Sequence, residues 1–222
     1  MQILPSLLAA DGAILGEELR RVEASGADAI HLDIMDAHFV PNLSFGPDIV
    51  RVSQRVCPHL KRNVHLMMTR PDLYIDAFAD AGAQTIQIHV EADCDIAETL
   101  RRIRARGIGT GLVLRPQTAP AEVLKYLGLC DEILFMTVNP GYGGQKFMDE
   151  VLPHIAEFKR TIAGTEFENI VVMVDGGINA QTALDAARAG ANAFVAGSFL
   201  FKVPDMKAAI DDMRRSLAEI AP

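Results

Sequence analysis

The stretch His31-Leu32-Asp33-Ile34-Met35-Asp36 combines residue types and spacing that can do chemistry. Side chains of a β-strand alternate between faces, so His31, Asp33 and Met35 project together while Leu32 and Ile34 point the other way. A histidine and a carboxylate two residues apart on one face can act as adjacent ligands of one cation. His65-Leu66-Met67 begins the pattern again, and Asp175 follows the apolar run 170–174. Each group also has an ordinary reading: a strand histidine as hydrogen-bonded core, a strand-end aspartate as the N-cap of the next helix. Four such groups desolvated together would be costly without a cation. The expectation is a metal site of His31, Asp33, His65 and Asp175. Two nitrogens and two carboxylates suit one divalent cation: zinc, manganese, ferrous iron or cobalt.

The elements that must position these groups alternate along the chain. Short apolar runs predict strands at 2–5, 29–35, 63–67, 85–89, 109–114, 132–137, 170–174 and 193–196. Amphipathic patterns predict helices at 14–24, 47–56, 72–81, 96–106, 121–127, 149–162, 180–189 and 205–220. Strict alternation implies a parallel sheet, and eight strands close a barrel. Gly26-Ala27, Gly82-Ala83 and Gly190-Ala191 each end a helical pattern two residues before a strand. Repeated helix capping explains these glycines. The predicted fold is α/β, one (β/α)8 TIM barrel over residues 1–222, with the active site at the C-terminal rim of the strands.

All four candidate ligands fall on that rim. Asp33 on the second strand and Asp175 on the seventh are expected to face each other across the mouth. Glycine-rich loops complete it: Gly141-Tyr142-Gly143-Gly144 after the sixth strand, Gly176-Gly177 after the seventh and Gly197-Ser198 after the eighth. Glycine lets backbone N–H groups turn closely toward an anion, and barrel enzymes often hold phosphate there. Met35, Met67 and Met136 occupy positions that line the bore, as core filling, as a water-poor wall, or both. His89 reads equally as a supporting or a structural residue, and Asp36 as a turn cap or a reinforcement of the site.

Bulk properties exclude several partners. The net charge of -8 argues against nucleic acid and anionic membrane surfaces. Three scattered cysteines show no zinc or disulfide spacing. No signal peptide and no spanning segment is expected, so a cytoplasmic location is predicted.

Pro5-Ser6 with Asp11, the block 31–42, His65-Leu66-Met67, the run 138–145, Val174-Asp175-Gly176-Gly177 and Ala196-Gly197-Ser198 together resemble the ribulose-phosphate 3-epimerase family. The resemblance covers nearly the whole chain. It implies a (β/α)8 barrel with one divalent cation on His31, Asp33, His65 and Asp175. It also implies substrate contacts from Ser6 and His65, and phosphate contacts from Gly141, Tyr142, Gly143, Gly144, Gly176, Gly177, Gly197 and Ser198. Family members act in the pentose phosphate route or carbon fixation, as homo-oligomers, dimers or hexamers, on a small phosphosugar. The implied reaction inverts C3 of D-ribulose 5-phosphate to give D-xylulose 5-phosphate, with Asp33 and Asp175 as the proton-transferring pair. Departures at Ala9, Ala10, Val90, Arg115, Phe199 and Leu200 leave the ligand set intact. They keep a sister 3-epimerase, acting on a ketose phosphate such as allulose 6-phosphate, as the alternative. An orotidine-phosphate type decarboxylase needs a lysine between its strand aspartates; Met35 stands there instead.

Overall fold

A computed structural model describes residues 1–220. Eight parallel strands run β1 (Gln2–Pro5), β2 (Ala29–Met35), β3 (Lys61–Met67), β4 (Thr85–His89), β5 (Gly109–Leu114), β6 (Glu132–Met136), β7 (Val171–Asp175) and β8 (Ala193–Ala196). Their order around the sheet is β1-β8-β7-β6-β5-β4-β3-β2. The ring shuts between β1 and β2, where Asp28 N–H donates to the Ile3 carbonyl at 3.1 Å and Ser6 bridges to His31. Asp28 Oδ2 accepts in turn from Ile3 N–H at 2.8 Å.

The helices are α1 (Leu15–Ala24), α2 (Pro47–Val56), α3 (Ile75–Asp80), α4 (Ile96–Ala105), α5 (Ala121–Leu124), α6 (Leu152–Ile162), α7 (Ala180–Ala189), α8 (Ser198–Phe201) and α9 (Met206–Ala218). Six expected helices are shorter than their sequence patterns, three of them for reasons visible in the backbone. The 72–81 pattern divides into a 3-10 turn, Pro71–Leu73, and α3, because Tyr74 at φ -118° interrupts the helical backbone. Gly128 stands in the continuation of α5, which passes into the 3-10 turn Leu127–Leu129. The 149–162 pattern opens as a 3-10 turn over its first three residues, before Pro153 in the first turn of α6. The one-turn α8 was not expected, since four residues carry no readable periodicity.

Two apolar layers hold the barrel. The larger lies between sheet and helices, where strand residues such as Leu32, Leu66 and Ile88 meet helix residues such as Leu19, Phe78 and Phe158. The smaller fills the bore with Leu4, Val113, Leu134, Met173 and Val195. Most of its members come from β1 and β5–β8. The other side of the bore is polar and buried: His31 and Asp33 from β2, Asn63 and His65 from β3, Gln87 and His89 from β4.

Strand register sets this polar side. Asp33 pairs with His65, His65 with Gln87, Gln87 with Gly111 and Gly111 with Glu132. A walk sideways from Asp33 therefore ends at the first residue of β6. Gly111 is the gap in that row: a Cβ there would lie 2.6 Å from Gln87 Cγ and 3.0 Å from Glu132 Cγ. Gly111→Ala should overpack the bore and cost about 1–3 kcal/mol, lowering the thermal midpoint by several degrees. An unchanged midpoint in a melting experiment would contradict this packing.

Candidate metal and active site

Strands β2, β3 and β7 bring the four expected ligands together. Their ligand atoms all lie within 4.8 Å of one another. His31 Nε2 stands 3.3 Å from Asp33 Oδ1, 3.9 Å from Asp175 Oδ2 and 3.4 Å from His65 Nδ1. His65 Nδ1 stands 3.2 Å from Asp33 Oδ1 and 3.9 Å from Asp175 Oδ2. Donor atoms about 2.0–2.2 Å from a tetrahedral zinc are separated by roughly 3.3–3.6 Å, so this group could hold a metal ion. The donor chemistry fits as well, with two imidazoles and two carboxylates converging.

Second hydrogen bonds decide which nitrogen each ring offers. Glu91 Oε2 lies 3.0 Å from His89 Nδ1, and His89 Nε2 lies 2.9 Å from His65 Nε2. A carboxylate only accepts, so His89 is protonated on Nδ1 and its Nε2 is the acceptor. His65 must then donate from Nε2, which leaves the Nδ1 lone pair facing Asp33 and Asp175. Glu91 is itself held by Arg115 N–H at 2.9 Å and by the Thr118 hydroxyl. His89 is thus a support standing behind His65.

The charges of the cluster are pushed apart. Burial opposes the imidazolium of His31, yet Asp33, aided by Asp175 and Asn63, raises its pKa to about 9. Burial lowers His65 to about 4. Burial also disfavours the Asp33 carboxylate, but the neighbouring histidines hold its pKa well below the usual carboxylate range. Asp175 goes the other way, raised to about 7 by burial and by the charge of Asp33.

Above the cluster opens a cavity of about 580 Å³, its mouth included. Asp33 and Asp175 line it together with Ser6, Met35, Met67 and Met136. Gly141, Tyr142, Gly143, Gly144, Gly176, Gly177, Gly197 and Ser198 line it too. Ser6 Oγ donates to Asp33 Oδ2 at 2.6 Å. The methionines form the expected wall. His65 is fully buried beneath the two aspartates and is not among the residues that line the cavity.

Asp36 is a turn cap and a tie. Its Oδ1 accepts from His38 and Phe39 N–H at 2.8 and 2.7 Å, and its Oδ2 from Thr69 N–H at 2.8 Å. The loop it shapes touches the β6 loop through Asn42 Nδ2 to the Gly141 carbonyl and the Tyr142 hydroxyl to the Pro41 carbonyl. Phe39 packs against His89 with ring centroids 4.6 Å apart and planes tilted by 50°, and lies beneath the Arg115 guanidinium. Sequence reading missed Asn63, Gln87, Glu91 and Glu132. For Asn63 and Gln87 the signal was present: each precedes a strand histidine by two residues and so shares its face.

A family model described as "Ribulose-phosphate 3 epimerase family" matches residues 2–201. The chain belongs to the ribulose-phosphate 3-epimerase family. It is 45% identical over 217 residues to the ribulose-phosphate 3-epimerase of Bacillus subtilis, covering 97% of this chain and 99% of that one. With the enzyme of the same name from Escherichia coli strain K12 it shares 42% identity over 220 residues, 99% and 97% of the two chains. A solved 3-hexulose-6-phosphate synthase from Salmonella typhimurium superposes with a TM-score of 0.71 at 16% identity, over 100% of both chains, a likeness of fold. The family is one of isomerases, and the chain is an enzyme of that class. Among the described residues no helix is long and apolar enough to cross a membrane.

Linkage gives a prediction for the metal-free protein. His31 has a folded pKa of about 9 against an ordinary 6.5, so its contribution to stability is complete below 6.5 and is lost as pH rises through 9. His65, lowered to about 4, gains nothing further above 6.5. Thermal melts of metal-stripped protein should therefore show falling stability between pH 6.5 and 9. A flat or rising profile there would refute the His31 assignment.

Proposed function

We propose that this chain inverts C3 of D-ribulose 5-phosphate, giving D-xylulose 5-phosphate, with one divalent cation held by His31, Asp33, His65 and Asp175. The observation that carries this reading is the pair of carboxylates, from β2 and β7, that line one cavity above a buried histidine pair. C3 lies next to the C2 ketone, so a proton lost there leaves an enediolate rather than a bare carbanion. The cation, when bound, supplies Lewis acidity that stabilises the negative charge developing on the substrate oxygens.

The chain's own residues do the rest. Asp33 takes the C3 proton from one face. Asp175 returns one to the other face. Their roles exchange in the reverse direction. Ser6 orients Asp33 through its hydroxyl. Met35, Met67 and Met136 keep water from the planar intermediate. The backbones of Gly141–Gly144, Gly176, Gly177, Gly197 and Ser198 face the phosphate, offering amides where the chain's global charge is unfavourable. A homo-oligomer in the cytoplasm is the expected setting.

Incubation with D-ribulose 5-phosphate in heavy water tests the reading: xylulose 5-phosphate should appear with deuterium at C3. A sugar recovered unlabelled would refute it. Asp175→Asn should lower turnover by at least about 10²–10⁴-fold while the melting temperature is kept; near-normal turnover would remove Asp175 from the mechanism. Chelation should abolish activity and a divalent cation restore it. A higher kcat/KM on allulose 6-phosphate than on ribulose 5-phosphate would transfer the assignment to the sister reaction.

A further inference from the structure

Directly behind His31, on the side away from the cavity, a chain of buried polar side chains runs to the floor of the barrel. His31 Nδ1 lies 2.8 Å from Asn63 Oδ1. Asn63 Nδ2 donates to Glu132 Oε1 at 2.7 Å, and Gln87 Nε2 donates to the same oxygen at 2.6 Å. His31 and Gln87 are 0% exposed, Asn63 3% and Glu132 8%. We infer that Glu132 is a positioning residue for the metal centre: its carboxylate, acting through the Asn63 amide, fixes His31 with the proton on Nδ1 and the lone pair on Nε2. The inference rests on the reading of the site as a metal centre.

The logic is one of permitted donors. Burial raises the Glu132 pKa, but Asn63 and Gln87 meet the same carboxyl oxygen, Oε1, which accepts from both amides, so Asn63 turns its NH2 toward Glu132 and its carbonyl toward His31. That carbonyl accepts only from a protonated Nδ1. Nε2, the atom beside Asp33, Asp175 and His65, is left to bind a cation. Gln87 supplies an independent sign of how strongly Glu132 dictates orientation. Its amide nitrogen is committed to Glu132 even though its own Oε1 is left buried without a partner. An unpartnered buried carbonyl costs about 1–3 kcal/mol, and a rotated Gln87 would set its oxygen against the carboxylate instead. The His65–His89–Glu91 chain does the same for the other ring by a separate route, so each histidine ends on its own carboxylate.

Outer partners of metal-bound histidines typically change metal affinity by about 10–100-fold when mutated. Glu132→Gln is the suitable variant, because its amide oxygen can still accept from Asn63 and Gln87 while the charge and the enforced orientation are lost. Co(II) affinity of the full-length protein, measured by chelator competition, should weaken about 10–100-fold in E132Q. Adding Asn63→Asp to E132Q places a carboxylate directly on His31 Nδ1 and should recover most of that loss. Co(II) binding by E132Q within twofold of the parent, or no recovery in the double variant, overturns the inference. Should E132Q not fold, nitrogen-15 spectra of the Zn(II)-loaded parent decide the matter. A proton on His31 Nδ1 supports the chain of bonds, and a proton on Nε2 overturns it. A parent that takes up neither metal defeats the metal reading itself, and is thereby distinguished from a parent that binds Co(II) as E132Q does.

Discussion

Two carboxylates and two imidazoles converge within 4.8 Å and almost out of water, and the rest of the molecule is arranged around that convergence. Without a cation the four groups must settle their charges by sharing protons. Asp33 keeps its charge because His31 and His65 stand against it, and His31 keeps its proton because Asp33 and Asp175 face it. Asp175 is left holding a proton into the neutral range, and His65 gives one up. Two neighbouring groups of the same kind are thereby driven to opposite states, which is the pattern of an acid and a base sharing one site. A divalent cation would replace the shared protons without changing the sign of any interaction.

The asymmetry of the bore explains why the two aspartates differ. Asp33 rises from the side built by β2, β3 and β4, among His31, Asn63, His65, Gln87 and His89, which can donate or accept. Asp175 rises from the side filled by Leu134, Met173 and Val195. Desolvation against that apolar filling leads the causes that raise Asp175, whereas Asp33 has Ser6 and both histidines to offset its burial. A barrel with an apolar lining throughout would have raised both acids, and one polar throughout would have raised neither. The split lining follows from strand register, since Asp33, His65 and Gln87 occupy one hydrogen-bonded row.

What could be read from the chain divides along the same physics. Alternation in 29–35 and the terminal position of Asp175 were enough to place the ligand cluster on one rim, because strand periodicity is local and survives any tertiary detail. The eightfold alternation was legible for the same reason. Glu132 was not, because a glutamate opening a strand reads as solvent-facing; its burial depends on register accumulated across β3, β4 and β5. Glu91 escaped because its partners, His89, Arg115 and Thr118, come from two different strand ends. The burial of the His65 ring against His31 and His89 was not legible either, since it is a property of three strands together. The short α8 and the 3-10 turns fall below the length at which periodicity carries information.

The glycines of the rim separate packing from access. Gly176 and Gly177 have φ of +122° and +65°, and a Cβ on either would strike Val138 or the Phe147 backbone within 2.6 Å. Close packing against the β6 loop requires them, whatever the cavity holds. Gly144 has φ +76° with open space around it, so backbone conformation alone accounts for its type. Gly143 has neither constraint: its φ is not in the left-handed region and nothing lies within 4 Å of the place a Cβ would take. Its remaining distinction is that its backbone lines the cavity. A side chain there would stand between the main-chain amides and whatever enters, and in a protein of net charge -8 those amides are the local means of attracting an anion. Of the rim glycines, Gly143 is thus the one that neither backbone conformation nor packing explains.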